Sequence, residues 1–157
     1  MSSRAIRVMC VEDNELVAEA IGRKLSKDAR FEWLGWVNNQ ASLLGEARQT
    51  CPDVVCMDLD IPGQDAISMI RALKDACPES RVLILTGHVR EEYVNRTVDA
   101  GAWGYLSKAE ESRVIVESIR RIAAGEFVLG KLTLAECGEP VRRPEVRVNG
   151  VPRPAGA

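Results

Sequence analysis

The chain has 157 residues, a net charge of -2 and 46% hydrophobic residues, which is enough for one domain with a real core and too apolar for a disordered segment. That balance excludes a bulk electrostatic case for nucleic acid or an acidic substrate, and no apolar run approaches the ~20 residues of a bilayer span. Five cysteines (Cys10, Cys51, Cys56, Cys77, Cys137) without a CxxC pair, and the single histidine His88, exclude ordinary zinc arithmetic. The thiols are expected to be reduced core or near-core groups of a cytoplasmic protein. The opening MSSRAIRVMCV has too short an apolar stretch for a secretory signal.

Strand-like and helix-like segments then alternate. Ile6–Val11 reads as a strand and Glu15–Lys27 as a helix with Leu16, Ala20, Ile21 and Leu25 at helical spacing. Phe31–Val37 is a second strand, and Asn38-Asn39 caps a helix over Gln40–Arg48. Val54–Asp58 is almost wholly apolar, the pattern of a strand buried on both faces. Asp65 caps a helix that runs to Ala76, and Pro78 prevents its continuation. Arg81–Thr86 is the fourth strand, Glu91–Asp99 a helix, Trp103–Ser107 the fifth strand and Glu110–Ala124 the last helix, ended by Gly125. The apolar positions Val114, Ile115, Ile119 and Ile122 on that helix are expected in the core. This alternation predicts a parallel α/β sheet with right-handed crossovers. From Gly130 the pattern lapses into four prolines and four glycines with five basic against three acidic residues, and 130–157 reads as a tail or extension.

Polar chemistry collects at the ends of the apolar strands. Glu12 and Asp13 follow the first, Asp58 ends the third, Thr86 the fourth, and Lys108 follows the fifth. In an open parallel sheet those ends line one crevice, where ligands bind. Two carboxylates ~4 Å apart repel by roughly 4 kcal/mol at an effective dielectric of 20, so three acids there would hold protons or recruit a hard cation such as Mg²⁺. Asp58 ends a buried strand, where an unneeded charge would be costly. With a metal beside it such a carboxylate can attack phosphorus and form an acyl phosphate. Asp60 is expected to point outward and offer its backbone carbonyl to the metal. The Thr86 hydroxyl can donate to a phosphoryl oxygen, and Lys108 can stabilise the charge of the transferring group. His88 falls in the loop two residues past Thr86, where it can influence how fast water reaches an acyl phosphate.

In this order and placement the motifs RVMCVEDN, CMDLDIPG, LILTGH and GYLSK resemble the receiver domain of two-component response regulators, over roughly the first 125 residues. With no proline after Lys108, the stretch is similar to the NarL/FixJ type of receiver, and Ala109 argues against a cis bond there, which costs ~2.5–4 kcal/mol without proline. The resemblance implies a flavodoxin-like (βα)5 doubly wound sheet of order 2-1-3-4-5. It implies Mg²⁺ on Glu12, Asp13, Asp58 and the Asp60 carbonyl, with Asp58 as phospho-acceptor, Thr86 and Tyr105 as the switch pair and Lys108 as countercharge. A sensor histidine kinase or phosphotransfer protein is the implied donor. The output is a downstream protein or a homodimer formed through the fourth helix, fifth strand and fifth helix. The expected division is 1–129 for the receiver and 130–157 for the extension. That extension lacks the length and pattern of a helix-turn-helix, so direct DNA binding is not expected, nor is a membrane. The competing enzyme reading is a haloacid-dehalogenase-like phosphatase, with Asp58 as nucleophile and Asp60 as general acid. Against it, the Asp-x-Asp motif sits after two strands instead of opening the domain.

Overall fold

Val8, Met9, Cys10 and Val11 on one strand and Val54, Val55, Cys56 and Met57 on another are buried without alternation, as they must be when a sheet is covered on both faces. In the computed structural model, which describes residues 4–137 together with 145–148 and 151–154, these are β1 (Ile6–Val11) and β3 (Val54–Met57). With β2 (Phe31–Val37), β4 (Arg81–Thr86) and β5 (Gly104–Ser107) they form a parallel sheet of order β2-β1-β3-β4-β5. The order expected from the resemblance is therefore present. A sixth strand, β6 (Val128–Leu129), pairs in parallel with the far edge of β5.

The helices are α1 (Glu15–Ser26), α2 (Gln40–Thr50), α3 (Ala66–Ala76), α4 (Glu91–Ala100), α5 (Ser112–Ala123) and α6 (Lys131–Glu136). Asn14, Asn39 and Asp65 cap α1, α2 and α3 through side-chain oxygens, each satisfying amides that the first turn leaves open. Two cores result, one on each face of the sheet. Met9, Val55, Met57, Ile70, Leu73, Ile84, Val94 and Tyr105 share one, while Val8, Cys10, Cys56, Leu83, Leu106, Ile119 and Ile122 share the other.

Three features depart from the sequence reading. The buried face of α1 is Ala18, Gly22 and Leu25, while Leu16 is 75% exposed and Ala20 is exposed. Trp33 packs on that face, its indole so close that a Cβ on Gly22 would fall 2.6 Å from it. Among the cysteines, Cys10 and Cys56 are buried partners in the β1·β3 register, but Cys51 is exposed. The stretch after Gly125 supplies β6, α6 and an antiparallel pair, β7 (Glu145–Val148) with β8 (Val151–Pro154). A two-residue strand and a six-residue helix are too short to carry a hydrophobic period. The rest of the expected tail, 138–144, 149–150 and 155–157, lies outside the described residues.

Candidate functional site

The crossover from β1 through β2 to β3 leaves β1 and β3 as neighbours, with Val11 paired to Met57 and the Asp58 amide donating to the Val11 carbonyl at 2.9 Å. Glu12 and Asp58 therefore leave the sheet side by side. On the other side Met57 pairs with Ile84 and Thr86 with Ser107, and the Lys108 amide donates to the Thr86 carbonyl at 2.8 Å. Backbone pairing alone thus carries four of the expected residues to one rim.

The centre of that rim is an ion triad. Lys108 Nζ lies 2.9 Å from Glu12 Oε2 and 3.2 Å from Asp58 Oδ2. Glu12 is 4% exposed and Asp58 6%. Two buried carboxylates share one ammonium, and the group keeps an excess negative charge. Burial pushes the Glu12 carboxyl above its usual value, against the Lys108 hydrogen bond and the Asn14 amide, while Asp58 pushes it further up. Burial opposes the charge on Lys108 too, but its hydrogen bond to Glu12 and the field of Asp58 outweigh it and hold its pKa above the ordinary lysine value.

The other expected residues do not join this triad. Asp13, next in the chain after Glu12, is exposed. Asp60 is exposed as expected, and its amide donates to Asp58 Oδ1 at 3.2 Å. Among the described residues no three His, Cys, Asp or Glu side chains stand as a ligating group, and Lys108 is paired with both Glu12 and Asp58. The donor set nevertheless fits a hard divalent cation. All its groups are oxygens, and the buried pair has a negative charge left over after Lys108 is counted. Glu12, Asp13 and Asp58, with the Asp60 carbonyl, are the groups that would hold it.

Thr86 is buried, yet its hydroxyl is engaged locally, donating to the His88 carbonyl at 3.1 Å and accepting from the His88 amide at 3.2 Å. Tyr105 is 0% exposed, with its ring in the core and, among the described residues, no hydrogen-bond partner for its hydroxyl. Burial lifts its pKa to about 12, and the approach of the Arg90 backbone offsets only part of the rise.

Sequence reasoning missed three residues here. Asn14 caps α1 and also donates its amide to Glu12 Oε1 at 3.1 Å, and its position after the acidic pair was the available signal. Glu110 and Thr133 tie α6 to the β5 side of the site. No local pattern marks them, because their partners lie more than twenty residues away in sequence. The face expected for output, α4 with β5 and α5, is accordingly joined by β6 and α6 of the same chain.

Residues 8–120 match the profile described as the response regulator receiver domain. A nitrate/nitrite response regulator protein homolog of Haemophilus influenzae is 32% identical over 124 residues, covering 79% of this chain and 60% of that protein. The chain spans about three fifths of the length of the curated relatives it matches. A LuxR-family two-component response regulator from Aurantimonas sp. SI85-9A1 superposes with a TM-score of 0.79 at 27% identity, covering 85% of this chain and 95% of that one. The signal receiver domain of the response regulator NarL from Mycobacterium tuberculosis gives 0.74 at 27% identity, covering 79% of this chain and 100% of that one.

Proposed function

The chain belongs to the response regulator receiver family of two-component signalling, and from that premise we propose that Asp58 is its phospho-acceptor. Membership makes it a signalling protein with a histidine kinase as partner, not a classical enzyme of the dehalogenase-like phosphatase type. It also implies the usual Mg²⁺. Among the described residues no helix is long and apolar enough to cross a membrane.

The phosphoryl donor is a sensor histidine kinase or a phosphotransfer protein. An Asp58 carboxylate oxygen attacks phosphorus, the bond from phosphorus to the donor's nitrogen breaks, and the electron pair leaves with that nitrogen. The product is an acyl phosphate on Asp58. Mg²⁺ held by Glu12, Asp13, Asp58 and the Asp60 carbonyl would neutralise charge on the transferring oxygens. Lys108 already lies 3.2 Å from Asp58, and its ammonium pairs with the new phosphoryl oxygens. The Thr86 hydroxyl leaves the His88 loop to donate to one of them, and Tyr105 fills the space behind it. The signal passes to a downstream protein or a second copy through the α4, β5 and α5 side. Residues 1–129 make up the receiver and 130–157 an extension.

The single observation that carries this reading is the buried Glu12–Lys108–Asp58 triad at the carboxyl rim of β1, β3 and β5. Its test is phosphoryl incorporation from a small phosphodonor with Mg²⁺. Wild-type protein is expected to take up one equivalent and Asp58→Asn none, whereas equal labelling of the two would end the assignment.

A further inference from the structure

Isolated helices shorter than ~12 residues are marginal in water, and α6 has six. Its N-cap, Gly130, offers no side chain, and its outward residues Leu132 and Leu134 are 41% and 54% exposed. What holds α6 comes from elsewhere in the chain. The Glu110 carboxylate accepts the Leu132 amide at 3.0 Å, so a residue two past Lys108 caps the helix from a distance. On the inner face the buried Thr133 hydroxyl donates to the Tyr105 carbonyl at 3.0 Å, and the Gly130 amide donates to the same oxygen at 3.2 Å. Gly130 is pressed against this seat. A Cβ there would stand 2.6 Å from Leu106 Cδ2 and 2.9 Å from Glu110 Oε1. Cys137 closes the helix inside the core cluster that holds the Tyr105 ring.

The two anchors of α6, Tyr105 and Glu110, therefore bracket Lys108 in the chain. We propose that α6 is a conditional helix seated by the position of the Lys108 segment, so that phosphorylation of Asp58 unseats it and passes the signal to the chain beyond Cys137. The inference rests on Asp58 being the phospho-acceptor. In the unmodified protein Lys108 is drawn inward by Glu12 and Asp58. A phosphoryl group carries roughly 1.5 to 2 negative charges at neutral pH in place of the single carboxylate charge it replaces, a net gain of about one at most, and draws the ammonium to new oxygens. The Glu110 end of the segment then moves relative to the Tyr105 end, which stays held by β4 and β6. Among the described residues the Glu110 cap and the Thr133 bond are the side-chain hydrogen bonds that hold α6, so displacing one end of the segment strains both.

The test is hydrogen–deuterium exchange on the full chain with Mg²⁺, with and without beryllofluoride, and binding of that probe followed separately by its fluorine resonance. With the probe bound, the Leu134 and Cys137 amides, which bond the Gly130 and Thr133 carbonyls, are expected to exchange about tenfold faster or more. Thr133→Val and Glu110→Ala exchange these amides fast without the probe. Because coupling is reciprocal, both variants bind it about three- to tenfold more tightly. Thr133→Ser restores wild-type behaviour. A merely structural α6 would leave probe affinity unchanged in both variants, and that result overturns the proposal, as does unaltered α6 exchange in probe-saturated protein. Complete failure of the probe to bind is a different result: it removes the phospho-acceptor reading, and the relay with it.

Discussion

The two ends of the same parallel sheet carry comparable numbers of charges and treat them in opposite ways. At the amino end Asp53, Arg7 and Arg81 each have partners of their own. Asp53 accepts the Arg7 amide at 2.8 Å and pairs with Arg4 at 2.8 Å, while the Arg7 guanidinium reaches Glu32 at 3.0 Å and the Thr50 carbonyl. Arg81 lies 4.8 Å from the Trp103 ring and donates to the Ile122 and Ala123 carbonyls at 3.1 and 3.2 Å, where the C-terminus of α5 welcomes a cation. At the carboxyl end two carboxylates, more deeply buried than any of these, divide a single ammonium. The matched rim ties strands and helices together. The unmatched rim keeps a negative surplus that a divalent cation and a phosphoryl group can use.

The contrast can be broken or sharpened by substitution. The largest effect is expected for Lys108→Ala, which strands Glu12 and Asp58 without a countercharge. Breaking a buried pair costs about 3–5 kcal/mol, and since the Lys108 side chain is 25% exposed, about 2–3 kcal/mol is the expected loss in urea unfolding at pH 7. The folded pKa of Lys108 is raised, so its contribution is fully present below 10.5, the ordinary lysine value, and is lost as pH rises through the folded value. A loss below about 0.5 kcal/mol, typical of a surface substitution, would mean the triad is not a buried charge system.

Tyr105 comes next. Its phenol is neutral in the folded chain up to about 12, against 10 for an ordinary tyrosine. Between those values the unfolded chain releases a proton that the folded one keeps, so stability falls as pH rises across that window. Two pKa units correspond to about 3 kcal/mol. Tyr105→Phe should flatten this part of an alkaline unfolding profile, and an unchanged slope would place the phenol in water.

The smallest effects give the most direct comparison of the two rims. Asp53→Asn should cost about 1–2 kcal/mol, because it weakens charge-assisted bonds to Arg4 and the Arg7 amide. Glu12→Gln should be neutral or stabilising by up to about 1 kcal/mol, because burial already disfavours the Glu12 charge. Equal losses from the two substitutions, measured in parallel urea titrations, would erase the distinction between the rims.

How much of this was legible follows from where each signal lies. Glu12, Asp58, Thr86 and Lys108 could be read because each stands at or just past the end of an apolar run, and strand ends converge in a parallel sheet whatever else the chain does. The phase of α1 could not. Of Leu16, Ala20, Ile21 and Leu25, Leu25 is buried and Ile21 packs on the core, but Leu16 and Ala20 face outward, while Ala18 and Gly22, against the Trp33 indole, turn inward. Nor could β6 and α6, which owe their existence to Tyr105 and Glu110 more than twenty residues upstream.

The sequence by itself determined the alternation of strands and helices, and with it which side chains reach the crevice, since those depend on local period, caps and turns. Only the tertiary structure decided that Lys108 would be divided between Glu12 and Asp58, that the Thr86 hydroxyl would rest on His88, and that Tyr105 would be sealed beneath α6. Each of these is a contact between segments distant in the chain, and its energy comes from burial and charge balance, which exist only once the strands have been brought together.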